Sequence, residues 1–161
     1  MDIKIELFIT LQLLIASALG AFIGIERERH GATAGIRTYA AVCLGAALFT
    51  AIGTHSVDVT AGARIAANIV TGIGFLGAGI IYKDNTKGIT QGLTTASSIW
   101  ATAAIGVAAA YSMFIIAICS SILIYLLLAL HHFEWYIKIK KRWELNKEHK
   151  HDDNTTHCNE D

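Results

Sequence analysis

Between Gly88 and Phe133 the chain carries no Lys, Arg, Asp or Glu. A water-soluble domain cannot cover its surface with such a stretch. A hydrocarbon core about 30 Å thick is crossed by a helix of roughly 20 apolar residues, so this stretch is too long for one crossing and right for two. Its natural break lies at Ala110–Ser112, where alanines give way to Tyr-Ser before a Leu/Ile-rich segment. Three further uncharged stretches, Leu7 to Ile25, Thr38 to Thr54 and Ile65 to Tyr82, fit one crossing each. The expected fold is therefore all-α, a polytopic membrane protein of about five transmembrane helices. A mean hydropathy of +0.48 agrees with this, as does a charged fraction of only 16%.

The first span reads as a retained anchor rather than a cleaved leader. Asp2 and Glu6 spoil a basic start, and Glu26-Arg27-Glu28-Arg29 stands where a small-residue cleavage site would be needed. Basic residues alternate from loop to loop: Arg27, Arg29 and Arg37 in the first, Arg64 in the second, Lys83 and Lys87 in the third, none in the fourth, and a cluster from Lys138 to Lys150 in the tail. Positive charge accumulates on the cytoplasmic side, so the expected topology is N-terminus out and C-terminus in. Residues 1–132 form the transmembrane domain and 133–161 a cytoplasmic tail. Its first part, 132–148, reads as an amphipathic helix on the membrane surface, and the rest as a polar, solvated segment. His149, His151, His157, Cys158, Asp152 and Asp153 match no closed metal site, so no metal and no cofactor is expected. Single, scattered cysteines argue against a disulfide framework.

Several segments could carry function. Ala16, Gly20 and Gly24 recur every four positions and give one helix face a smooth ridge for close packing. The run from Gly72 to Gly79 places glycine at 72, 74, 77 and 79, an expensive composition for a helix. Three readings fit it: a tightly packed central helix, an unwound segment offering carbonyls to an ion, or a seam between two copies. Arginines in the first loop explain its orientation, whereas Glu26 and Glu28 do not, because acids contribute little to topology. Glu26 is expected either to clasp Arg37 across the short loop or to form a ligand mouth with it. Span four, with Gln91, Thr94, Thr95, Ser97, Ser98 and Thr102, is poorly lipophilic and should lie inside the bundle. Asn68 and Thr71 are read as interhelical hydrogen-bonding groups. No span has an acidic or basic residue at its middle, which counts against a proton-coupled pump. No nucleophile–base pair, phosphate loop or paired carboxylates can be assembled, so no enzyme is expected, and nothing points to nucleic acid.

The ordered motifs Gly24-Ile25-Glu26-Arg27-Glu28 with Gly31, Gly35-Ile36-Arg37-Thr38, Ala63-Arg64-Ile65-Ala66-Ala67-Asn68, Gly72-Ile73-Gly74-Phe75-Leu76-Gly77-Ala78-Gly79 and Gly92-Leu93-Thr94-Thr95-Ala96 resemble the MgtC/SapB family. The resemblance covers roughly residues 7–130. It implies a multi-pass protein of the bacterial inner (plasma) membrane, connected with magnesium limitation, ionic or acid stress and virulence. Such proteins act through membrane partners, the F-type ATP synthase among them, and self-association is a further expectation. The alternative is a small ion or solute transporter using the third span. The family residues carried over are Glu26, Arg27, Glu28, Gly31, Gly35, Arg37, Thr38, Arg64, Asn68, Gly72, Gly74, Phe75, Gly77, Gly79, Gly92, Thr94 and Thr95. The chain departs from the longer relatives in having only a short tail where they continue into a soluble ACT-like domain. Tyr39 and Asn68 also stand where other polar residues are expected.

Overall fold

A computed structural model describes residues 2–55, 60–84 and 89–130. Five helices follow in order: α1 (Ile3–Arg29), α2 (Ile36–Thr54), α3 (Ala61–Ile80), α4 (Leu93–Ala110) and α5 (Phe114–Ala129). The first four are each long and apolar enough to cross a membrane, and α5 is a shorter apolar helix. The protein is an all-α polytopic membrane protein, as the uncharged stretches foretold. One element was not foreseen: β1 (Tyr82–Asp84) and β2 (Ile89–Gln91) pair antiparallel between α3 and α4. The tail helix expected at 132–148 and the histidines beyond it lie outside the described residues.

With no proline in the chain, the helices end by other means. The α4–α5 break falls at the expected place. There the Ser112 N–H bonds the Ala109 carbonyl at 3.0 Å and the Met113 N–H the Ala108 carbonyl at 2.9 Å, with Ser112 at φ 62°. This is a Schellman end with serine in the position glycine usually takes. Gly92, at φ 88°, starts α4, and a Cβ there would run into the Ile80 carbonyl, so only glycine serves.

The compact unit Met1–Tyr125 is built on α1, α2 and α4, whose backbones approach closely wherever a residue is small. A Cβ on Gly20 would meet the Tyr39 carbonyl and, at 2.7 Å, the Cβ of Cys43. One on Gly24 would meet the Ile36 Cα at 2.6 Å, and one on Gly106 the Cys43 carbonyl. The Ala16-Gly20-Gly24 ridge thus does what its spacing suggested, and all three residues are buried. Alanines fill most of the rest, with Tyr39, Ile23, Ile99 and Ile105 as the largest buried side chains. In lipid such contacts hold helices by dispersion and backbone proximity, since burying apolar surface gains nothing over acyl chains.

Helix α4 is interior, as its polarity required, with ten buried residues. Helix α3 is not. It touches its neighbours at Gly53–Ile65 and at Gly77, whose Cβ would sit 3.6 Å from that of Ala96. Only Ala61, Gly62 and Gly77 along it are buried. Its helix is continuous through every glycine from 72 to 79. The central-helix and unwound-segment readings are therefore both corrected. Helix α5 joins the bundle through side chains: Ala117 and Ser121 are buried, and the rings of Tyr125 and Phe22 stack at 4.7 Å. Ser120 and Ile116 face Trp100 and Ala104 of α4 across a shallow groove. The Phe114–Tyr125 portion turns Ile115, Ile118, Ile122 and Leu123 outward.

Candidate functional site

Helix α1 runs one turn past its apolar stretch, so Glu26 to Arg29 form its last turn rather than a loop. Arg27 and Arg29 there suit the negative end of the helix dipole. The end of α1, the start of α2 and the start of α4 converge at one edge of the bundle, and most family residues meet there. Glu26 is only 5% exposed. Its Oε1 lies 3.1 Å from His30 Nδ1, four residues on, and that nitrogen is also 2.7 Å from the Glu26 carbonyl. Arg37 is exposed and makes no hydrogen bond or ion pair among the described residues. The expected Glu26–Arg37 clasp is thus replaced by a pair between Glu26 and His30, the residue that caps the end of α1. The reason is reach: α1 continues to Arg29, which puts His30 on the same face as Glu26.

Glu28 takes a different task. Its Oε2 accepts the Ile36 N–H at 2.9 Å, satisfying one of the open donors at the start of α2. Gly35 makes room for it, because a Cβ there would sit 2.6 Å from the same oxygen. Glu28, Thr33, Gly35, Arg37 and Thr38 then line an open recess of about 580 Å³. Gly31, at φ 65°, turns the chain between the two helices.

Arg27 ties this edge to α4: its Nη2 donates to Thr95 Oγ1 at 3.2 Å. Its Nε is buried without a partner. Thr95 is buried and Thr94 exposed, beside the Gly92 turn. Deeper in the bundle Tyr39 Oη and Ser98 Oγ share a hydrogen bond of 2.6 Å. At the opposite end of α4, Gln12 Nε2 donates to the Ala110 carbonyl and to Ser112 Oγ, both at 3.0 Å. Thr50 and Thr102 return their hydroxyls to the carbonyls of Ala46 and Ser98 at 2.8 Å.

The residues singled out in the sequence therefore form two groups. Glu26, Arg27, Glu28, Gly31, Gly35, Arg37, Thr38, Gly92, Thr94 and Thr95 gather at the edge just described. Arg64, Asn68, Gly72, Gly74, Phe75 and Gly79 lie exposed along α3, and Gly77 alone of that helix's glycine run packs inward. Sequence reasoning missed His30, Gln12 and the Tyr39–Ser98 pair. The first had a readable signal, an acid and a histidine four residues apart. The other two join residues distant in sequence and had none.

The MgtC family model matches residues 13–134, a span that contains both groups. The chain belongs to the MgtC family. It is 43% identical over 114 residues to "Protein MgtC" of Salmonella typhimurium, an alignment that takes in 71% of this chain and 48% of that protein. It is 38% identical over 146 residues to "Putative magnesium transporter YhiD" of Escherichia coli K12, covering 86% and 66%. An uncharacterized protein, slr0014 of Synechocystis, matches at 39% over 115 residues, 71% of this chain and 48% of its own. The chain thus spans about half the length of the MgtC proteins it matches. No solved structure matches it. MgtC-family membership places the two residue groups in a context of magnesium-related names, and the geometry shows one group knitted into the bundle and the other standing on its flank.

Proposed function

We propose that this chain is a non-enzymatic protein of the bacterial inner membrane that adjusts other membrane proteins when magnesium is limiting or ionic stress is imposed. The observation that carries this reading is how the polar groups of the bundle are spent. Gln12, Tyr39, Thr50, Ser98 and Thr102 are buried, and each has its hydrogen bond within the bundle. A conduction path needs polar groups that face an open passage and can replace an ion's hydration shell; none of these five lines the recess at Glu28–Thr38 or the groove between α4 and α5. By family resemblance the F-type ATP synthase is the first partner to test. The Glu26–His30 and Arg27–Thr95 edge is the site assigned to signalling, with the N-terminus outside and this edge facing the cytoplasm.

The name carried by the E. coli relative favours a rival, magnesium transport. Purified protein in liposomes loaded with a magnesium-sensitive dye separates the two. The expected result is influx no faster than in empty liposomes, and influx that scales with protein overturns the proposal. In cells that depend on this chain at limiting magnesium, Glu26→Ala should abolish growth support with membrane levels unchanged. A fully active Glu26→Ala removes the edge from the function.

A further inference from the structure

Helix α3 carries a second pattern on its exposed side. Asn68, Gly72, Phe75 and Gly79 follow one another at four, three and four residues. At about 100° per residue they fall within an arc of roughly 60°. That is the spacing of a coiled-coil seam, which repeats every seven residues: Asn68 with Phe75, and Gly72 with Gly79. Phe75 is 85% exposed. A Cβ on Gly72 or on Gly79 would meet nothing within 4 Å. The seam therefore alternates a protruding ring with two bare hollows. Beside it, Gly45 and Phe49 of α2 and Ile65, Asn68 and Gly72 of α3 line an open depression of about 490 Å³.

Exposure alone says nothing in a membrane, where lipid covers apolar side chains. Asn68 is the discriminating residue. It is exposed and has no hydrogen-bond partner among the described residues, and it lies about 11 Å along α3 from Ala61. An amide facing acyl chains at that depth leaves donors and acceptors unsatisfied. Asparagine is also both donor and acceptor, so it is complemented by another copy of itself. Two copies inserted in the same sense place their α3 helices parallel, with Asn68 opposite Asn68 at equal depth. A single polar residue in such a seam fixes register and the number of strands.

We propose that α3 is the twofold interface of a homodimer. Its Asn68 side chains bond each other, and each Phe75 enters the hollow between Gly72 and Gly79 of the second copy. The interface is isologous: one patch meets itself. The seam uses no residue of the Glu26–His30 edge, so the proposal stands whether or not the functional reading above does.

The test is disulfide trapping in native membranes with a mild oxidation catalyst. It uses the full chain with Cys119→Ala and Cys158→Ala and the buried Cys43 retained. Gly72→Cys and Gly79→Cys should each give a covalent dimer, whereas Gly74→Cys, roughly 100° round the helix from the nearest seam residue, should not. Without cysteine chemistry, Gly72→Leu and Asn68→Leu should convert a dimer to a monomer in nanodiscs, read by mass photometry. Both should leave the monomer's thermal unfolding in place, because neither side chain is packed within its own bundle. A monomeric wild type, trapping at Gly74→Cys equal to that at the two seam positions, or a dimer that survives both leucines overturns the proposal. An adduct with the mass of a different protein overturns it too.

Discussion

Helices α3 and α4 look alike as text and behave as opposites in the structure. They are 20 and 18 residues long, reach the same mean hydropathy of 1.4, and are rich in small residues, glycine and alanine in α3 and alanine in α4. Yet 56% of α4's apolar stretch is buried inside the bundle and 6% of α3's. The difference lies in what each small residue meets. Gly106 of α4 is pressed against the Cys43 carbonyl, while Gly72, Gly74 and Gly79 of α3 meet nothing. Small residues permit close approach; they do not say which helix will approach, or whether it belongs to the same chain.

Substitutions can break or sharpen this contrast. Gly106→Leu should be the most damaging, because no flexible neighbour can move aside for a side chain aimed at backbone. We expect loss of the monodisperse peak in detergent chromatography, and a cost beyond the 1–3 kcal/mol or so usual for overpacking. Normal folding of this variant would erase the distinction between the two helices. Gln12→Leu should cost about 1–2 kcal/mol in thermal unfolding, since it removes two hydrogen bonds that hold the end of α4 and its Ser112 turn. Tyr39→Phe is expected to cost about 0.6 kcal/mol, the average for a polar contact between membrane helices. Ser98 retains the Thr94 carbonyl at 2.7 Å as a partner. Gly74→Ala should reverse the sign, raising stability by up to about 1 kcal/mol through helix propensity alone. A destabilised Gly74→Ala would mean that something covers that side of α3 as well.

Much of the architecture could be read from the residues. The uncharged stretches gave the helices, Tyr-Ser marked the α4–α5 break, and the four-residue repeat of Ala16, Gly20 and Gly24 marked a packed face. The polarity of span four gave its interior place. The candidate edge was legible as a set of residues but not as a set of pairs. Placing the end of the first helix at the end of its apolar run hid His30 from Glu26 and left Arg37 as the nearest cation in view. Arg27–Thr95 joins residues 68 positions apart, a pairing that depends on how α1 and α4 cross. The position of α3 was unreadable for a related reason: its glycines signal contact, yet of the run from 72 to 79 only Gly77 meets the rest of this bundle.

Cys43 gives the bundle a chemical clock. Its side chain is wholly enclosed between Gly20 of α1 and the backbone approach of Gly106. A membrane-permeant thiol reagent can reach it only when the three helices part. Cys119, exposed on α5, reacts without any opening and reports how fast the reagent arrives. With Cys158 replaced, the ratio of the two labelling rates measures how often the core breathes, in native membranes and without an introduced cysteine. Magnesium, pH or a candidate partner can each be scored by whether it slows or quickens that ratio.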